Sequence, residues 1–523
     1  MKYRNYIIFF LTVVTAFRLL YIWLGPLDLS PDEAHYWEWS RRLDLSYYSK
    51  GPLIAYLIAF FTAIGGNNEF SVRIGAVLIS LFVSIILYAI AKDIFKSERA
   101  GFYAALIPSL TPLYSAGAVL MTIDAPFILF WGLGVYVFRK AVIWEAGGRR
   151  WGVEKAFSTS HIPHPTPYWY LLGIIIGLGL LTKYTMALIY PCIALFLLFS
   201  KNDRFWLMRK EPYIAIVLSI VIFSPVIIWN FQHDWVTIRH TAGQVHVADG
   251  LKISLKDFLE FIGSQFGVIT PFIFLGLLFG MWKTGVLGLK NNDRDYLLLF
   301  SLSAPVFAFF LLKSIQAKVQ ANWATPAYFT AFIAASGIYE RLFFQQKKIW
   351  LKLFIVMAII TGVITTIIAH DTRLLNIGEI DLEARHDPTN RLMGWEVLGA
   401  KVGVIFDDML KKGDAFIFSD SYQVASELAF YVPGNPVTYN ANLGRRMNQY
   451  DMWQGFNSLI GKNAVYIQDS NVTLPHKVGN AFSKCEKEPL LNIYRNGFVA
   501  RKFSIFRCYD FKGIEIGVDK VTY

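Results

Sequence analysis

The densest group of reactive side chains lies in Leu29-Ser-Pro-Asp-Glu-Ala-His-Tyr-Trp-Glu38, where Asp32 and Glu33 stand together among aromatic rings. A carboxylate beside a low-dielectric boundary can serve as a general base, or can hold a cation. The same residues also suit a helix start, with Ser30 as cap, Pro31 in the first turn and two acids at the N-terminal end. The two readings are compatible, because a capped helix is a rigid mount. Lys50, in Tyr48-Ser-Lys-Gly-Pro52, can clamp a phosphate or snorkel at an interface. Asp124, in Met121-Thr-Ile-Asp-Ala-Pro126, opens an apolar segment, where a carboxylate is costly unless it is paired, used in chemistry or placed as a helix cap. Lys183 interrupts about thirty apolar residues, as the turn of a helical hairpin or as a cation facing a cavity. His233, Asp234, Arg239, His240 and His246 crowd a later polar loop. Their spacing matches no established ligand pattern, so His233 and His240 are weak metal candidates only.

The elements that must position these groups are mostly membrane segments. With 55% hydrophobic residues and a mean hydropathy of +0.41, a 523-residue chain reads as polytopic. Apolar runs near residues 5–25, 70–91, 100–119, 124–143, 168–182, 184–200, 212–230, 260–281, 295–312, 322–339 and 350–370 give about eleven spans, and up to thirteen if short runs are divided. The first run is too long for a signal-peptide core and lacks a cleavage site, so it reads as a retained anchor.

The net charge of +12 lies wholly before residue 371, since residues 371–523 hold 18 basic and 18 acidic side chains. Basic residues gather in alternate loops, at Lys92/Lys96/Arg99, Arg139/Lys140/Arg149/Arg150/Lys155, Lys201/Arg204/Arg209/Lys210, Lys283/Lys290/Arg294 and Arg341/Lys347/Lys348. That is the positive-inside pattern and it disfavours nucleic acid as a partner. The loops at 26–69, 114–123, 231–258 and 313–321 then face outward, and an odd span count places the C-terminal region outside too. Within 26–69, the short apolar run Pro52–Phe61 is expected to lie as a helix in the membrane interface. Two domains are expected: a membrane domain over 1–370, carrying the outer loop 26–69, and a soluble α/β domain over 371–523. In the latter, Ala415–Phe418, Ala464–Ile467 and Phe503–Phe506 read as strands and Tyr422–Phe430 as a helix. Cys485 and Cys508 can pair there if that domain is extracytoplasmic.

The order of these motifs resembles a known family: the GT-C-fold glycosyltransferases that use polyprenyl-phosphate sugars, in the bacterial branch of the protein O-mannosyltransferase superfamily. That branch includes the aminoarabinose transferases of lipid A. The resemblance rests on Ser30-Pro-Asp-Glu-Ala34 with Tyr36, Tyr48-Ser-Lys-Gly-Pro52, Thr122-Ile-Asp-Ala-Pro126, Leu180-Leu-Thr-Lys-Tyr184 and Asn230-Phe-Gln-His-Asp-Trp235. It implies an all-α GT-C membrane domain in which Asp32, with Glu33 beside it, is catalytic. It further implies that Lys50 binds donor phosphate and that Asp124 matches the family's acid at the fourth span; Lys183, Arg239, Tyr36 and Tyr48 are further candidates for binding donor phosphate or substrate. The partners so implied are a polyprenyl-phosphate sugar donor, membrane lipids, and a lipid or glycan acceptor, with lipid A or lipopolysaccharide core first. A protein or cell-wall acceptor is the alternative within the fold, and a lipid-linked-sugar transporter is the alternative outside it. The aminoarabinose subgroup resembles Phe-Glu-Lys-Pro-Pro where this chain has Ser49 before Lys50, and it has an Arg where this chain has His35. That Glu takes part in a metal site in the subgroup, so Ser49 counts against a divalent metal here. The stretches 421–430 and 442–453 resemble a C-terminal domain of many bacterial members.

Overall fold

The computed structural model describes residues 2–150, 166–244, 253–346, 349–378, 387–453, 455–495 and 498–514. His246, Lys155, Lys347 and Lys348 lie outside the described residues. The chain divides into two compact units, one of Met1–Leu19, Ala76–Trp229 and Asp249–Ile367, the other of Leu20–Gly75, Asn230–Ala248 and Ile368–Tyr523. The loop over 26–69 and the polar loop after Asn230 therefore pack with the C-terminal region.

Among the described residues, seven helices are long and apolar enough to cross a membrane: Tyr3–Leu24, Glu69–Phe95, Asp124–Val142, Glu211–Gln232, Pro271–Asn291, Arg294–Lys313 and Ile349–His370. Several expected spans are broken instead of continuous. Residues 100–119 form helix Glu98–Leu106, a 3-10 turn Ile107–Leu110 and a short helix Pro112–Gly117. Pro108 and Pro112 each remove a backbone donor, which ends regular helix there. The run expected at 260–281 is two helices, Leu255–Ile269 and Pro271–Asn291, interrupted at Thr270 where φ is +71°. Lys183 sits between helix Thr166–Leu180 and the turn Tyr184–Leu188, as the hairpin reading anticipates. Helix Leu53–Gly65 forms over the short apolar run after Pro52.

The second unit contains a six-stranded sheet. Its strands are β1 (Ala415–Ser419), β2 (Thr438–Asn440), β3 (Asn463–Asp469), β4 (Phe482–Lys487), β5 (Leu491–Arg495) and β6 (Phe498–Phe511). The order is β2-β1-β3-β6-β4, and β5 also pairs with β6. β1 runs parallel to β2 and β3, whereas β6 is antiparallel to β3, β4 and β5. Side chains alternate across the sheet with the period of two that strands impose. Ile417, Val465 and Ile505 face helices Trp395–Leu410 and Tyr422–Tyr431, while Phe416, Phe418 and Phe506 build the opposite core. The helix contributes Trp395, Leu398, Val402, Ile405 and Met409, one stripe at three- and four-residue spacing. Cys485 and Cys508 are directly opposed on β4 and β6 and form a disulfide.

Candidate active site

The acidic pair divides by task. Ser30 caps helix Pro31–Ser40, accepting from the Glu33 amide at 3.3 Å, while Glu33 Oε2 accepts from the Ser30 amide at 2.9 Å. This reciprocal box fixes the helix start. Glu33 is fully buried, and Arg73 donates to both its oxygens, at 3.1 and 3.0 Å. Arg73 also donates to the carbonyls of Leu27 and Asp28, at 2.8 and 2.6 Å. Both carboxylate oxygens of Glu33 are thus committed to the mount, while its neighbour Asp32 is exposed.

The rest of the helix is locked against Tyr422–Tyr431. Trp37 meets Phe430 edge to face at 4.9 Å, and His35 Nδ1 lies 3.0 Å from Ser426 Oγ. Trp39 donates its indole N–H to His35 Nε2, so the neutral imidazole carries its proton on Nδ1 and gives it to Ser426. Burial pushes the His35 pKa down to about 3, which keeps the ring in that neutral form. Tyr36 is a buried wall residue, edge-on to Trp39 at 5.1 Å.

Lys50 sits in a tight turn in which its carbonyl accepts from the Tyr47 amide at 3.1 Å. Tyr47 stacks on Trp39 at 4.4 Å, tying the turn to the Asp32 helix. The polar loop docks on the same turn: Thr237 Oγ1 donates to the Tyr47 carbonyl at 3.2 Å. Asp234 and Trp235 take positive φ, which turns the chain so that His240 lies 4.8 Å from the Tyr48 ring. Burial lowers the His240 pKa to about 3, helped by the positive charges of Arg446 and Lys50. Tyr422 is pushed up to about 12, first by burial and then by the Asp32 carboxylate, with Arg391 and Arg446 opposing. The Asp32 carboxylate and the Arg446 charge both act on Tyr422, and the Arg446 and Lys50 charges both act on His240, so these groups share one electrostatic environment.

Other sequence candidates fall elsewhere. Asp124 and Lys183 form a 2.6 Å ion pair, and Asn322 donates to the second Asp124 oxygen at 2.6 Å. Two residues singled out separately are thus each other's partners, which accounts for a buried lysine and a half-buried carboxylate. Arg239 is exposed and makes no ion pair among the described residues. His233 is half-buried, and no group of three His, Cys, Asp or Glu side chains suited to a metal ion occurs among the described residues. The weak metal candidates His233 and His240 thus lack a third ligand there.

Sequence reasoning missed Arg446, which it noted only as part of a C-terminal stretch, and Arg73. A signal for Arg73 exists: an arginine one turn into an apolar helix needs a buried partner.

Comparison with known proteins agrees with this architecture. Residues 49–158 and 156–229 match the family described as dolichyl-phosphate-mannose-protein mannosyltransferase. A lipid A galacturonosyltransferase of Rhizobium johnstonii is 30% identical over 322 residues, covering 61% of this chain and 63% of that protein. An undecaprenyl phosphate-alpha-4-amino-4-deoxy-L-arabinose arabinosyl transferase of Pectobacterium atrosepticum is 25% identical over 58% of this chain and 54% of that protein. The chain therefore spans less than two thirds of the length of these relatives. The crystal structure of ArnT from Cupriavidus metallidurans bound to undecaprenyl phosphate superposes with a TM-score of 0.64 at 13% identity, covering 98% of this chain and 99% of that one. The archaeal oligosaccharyltransferase AglB from Archaeoglobus fulgidus gives 0.52 at 12% identity, covering 88% and 69%. The chain is a multi-pass membrane protein with the GT-C fold, similar over part of its length to the dolichyl-phosphate-mannose-protein mannosyltransferase family, to a lipid A galacturonosyltransferase and to an undecaprenyl phosphate-aminoarabinose transferase.

Proposed function

We propose that the chain transfers one sugar from a polyprenyl-phosphate donor to a lipid acceptor, lipid A or lipopolysaccharide core, at the outer face of the cytoplasmic membrane. The observation that carries this reading is exposed Asp32 on a capped, ion-paired helix to which the Lys50 turn is tied through the Tyr47–Trp39 stack. The acceptor oxygen attacks the anomeric carbon as its bond to the donor phosphate breaks, inverting the configuration. Asp32 takes the proton from an acceptor hydroxyl, and for an already ionised acceptor it balances positive charge on the ring. Lys50 and Arg446 bear the negative charge left on the departing lipid phosphate. The transfer activities named for the curated relatives support the donor and acceptor classes.

Losing one charge-assisted contact to phosphate costs about 1.5–3 kcal/mol, or roughly 10- to 100-fold in affinity. Lys50→Ala and Arg446→Ala are each expected to raise the donor's apparent KM by about that factor at saturating acceptor. A donor titration in which only the acceptor's KM moves assigns these cations to the other substrate.

The topology follows the same reading. An odd span count from a cytoplasmic N-terminus supports a periplasmic location for residues 371–523, and the Cys485–Cys508 disulfide suits that oxidising compartment. Reporter fusions after residue 375 are expected to be active outside, and thiol labelling to require reductant. A cytoplasmic reporter signal contradicts the placement.

A further inference from the structure

A cavity lies in the C-terminal unit, and none of the roles assigned above uses it. It encloses about 530 Å³, within the range of about 300–1,000 Å³ typical of small-ligand sites. Its lining includes Arg42, Tyr439, Asn440, Asn442, Tyr450 and Trp453. The mix is aromatic surface and amide or guanidinium donors, which differs from the apolar lining expected of a lipid-tail groove.

The donors are under-used within the protein. Asn442 accepts the Gly444 amide at 3.1 Å through Oδ1, but its NH₂ group makes no hydrogen bond among the described residues. The same holds for the Tyr439 hydroxyl and the Trp453 indole N–H, each on a half-buried residue. Arg42 spends one nitrogen on Glu38 at 3.0 Å and lays its guanidinium 4.1 Å from the Trp453 ring centre. Glu38 is shared with Arg41, so its one negative charge faces two guanidinium groups. Asp451 is held by Arg445 at 2.7 and 3.1 Å. The lining itself holds Arg42 and Asp451, and with Arg41, Arg445 and Glu38 behind it three arginines face two carboxylates.

Such a surface suits an oxygen-rich anion with apolar ring faces. Aromatic residues offer flat C–H contact, and the free N–H groups match hydroxyl, carboxylate or phosphate oxygens. The cavity also adjoins the Asp32 neighbourhood. Arg446 acts on His240 and Tyr422 while the next residue, Met447, lines the cavity. Tyr450 of the lining also stacks on His35 of the Asp32 helix, with ring centres 5.7 Å apart.

We propose that this cavity binds the anionic saccharide headgroup of the acceptor, a phosphorylated or carboxylated sugar, and presents it to Asp32. This deepens the transfer reading and rests on it for the ligand's role as acceptor.

Asn442→Asp tests the proposal cleanly. The new carboxylate still accepts the Gly444 amide, but a donor becomes a negative charge. Tyr439→Phe removes only a hydroxyl and serves as the second variant. The probes are a bisphosphorylated glucosamine disaccharide without acyl chains and its unphosphorylated counterpart, titrated calorimetrically into the full chain in nanodiscs. The phosphorylated disaccharide is expected to bind at least about tenfold more tightly than the neutral one. Asn442→Asp is expected to weaken it by at least about tenfold, and to raise the acceptor KM with the donor KM unchanged. Tyr439→Phe is expected to shift both in the same direction by a smaller factor. Equal binding of the two disaccharides, or undiminished binding in both variants, overturns the site. If both variants transfer sugar with an unchanged acceptor KM, the site falls while the transfer reading stands. If the wild type binds the probe, loses it in Asn442→Asp, and yet never accepts sugar from a polyprenyl-phosphate donor, the transfer reading falls while the site stands.

Discussion

Asp32→Asn is expected to reduce sugar transfer by about 10²–10⁴-fold, the usual contribution of a positioned general base. The substitution is nearly isosteric. Asp32 is exposed, whereas the capping box is made by Ser30 and Glu33, so the helix start should survive intact. The loss should fall on kcat with little change in donor KM, because Lys50 and Arg446 remain to hold the phosphate. Unchanged thermal unfolding would show that the mount is preserved. Near-wild-type turnover in the purified variant would remove Asp32 from the chemistry.

Glu33→Ala is expected to act on the mount instead. Breaking a buried ion pair by removing one partner typically costs about 3–5 kcal/mol, since the remaining charge stays buried and unpaired. Here the abandoned partner would be Arg73, itself only 2% exposed, which would keep only the longer 3.9 Å contact with Glu69. The expected result is a clear drop in melting temperature, with activity lost because the helix that carries Asp32 is no longer fixed. Replacing both partners, as Glu33→Leu with Arg73→Met, should recover much of the stability, because neither charge is then stranded. Equal melting temperatures for wild type and Glu33→Ala would contradict the structural role. A stable Glu33→Ala protein without activity would return Glu33 to the catalytic group.

The contrast between these neighbours marks what was legible in the sequence. Ser30-Pro-Asp-Glu announces a capped helix, and Asp32 and Glu33 read equally as chemistry until Arg73 is brought to one of them. That pairing spans forty residues and depends on tertiary packing, which local pattern does not encode. Asp124 and Lys183 show the same limit, since each reads as an isolated charge and each is the other's neutraliser. Strand alternation, by contrast, is local, so the segments around Ile417, Val465 and Ile505 were legible as strands and Tyr422–Phe430 as a helix. The broken helices were less so. Hydropathy reports apolar length, whereas the break at Thr270-Pro271 comes from one missing amide inside an apolar run. Arg446 was the most consequential omission, because its charge acts on His240 and Tyr422 only through tertiary folding, which local pattern does not encode.

The most direct test of the central claim is single-turnover transfer by the full chain in nanodiscs. Undecaprenyl phosphate carrying a radiolabelled sugar is supplied with lipid A, and the lipid products are separated by mass and by label. Relatives name both galacturonosyl and aminoarabinosyl transfer, so both donors are used in parallel. The account predicts that label from one of them moves to lipid A in a donor-dependent reaction, releases undecaprenyl phosphate in equal amount, and is abolished in Asp32→Asn. Label that stays on the polyprenyl carrier with the wild-type protein, or that moves equally well with Asp32→Asn, would contradict it.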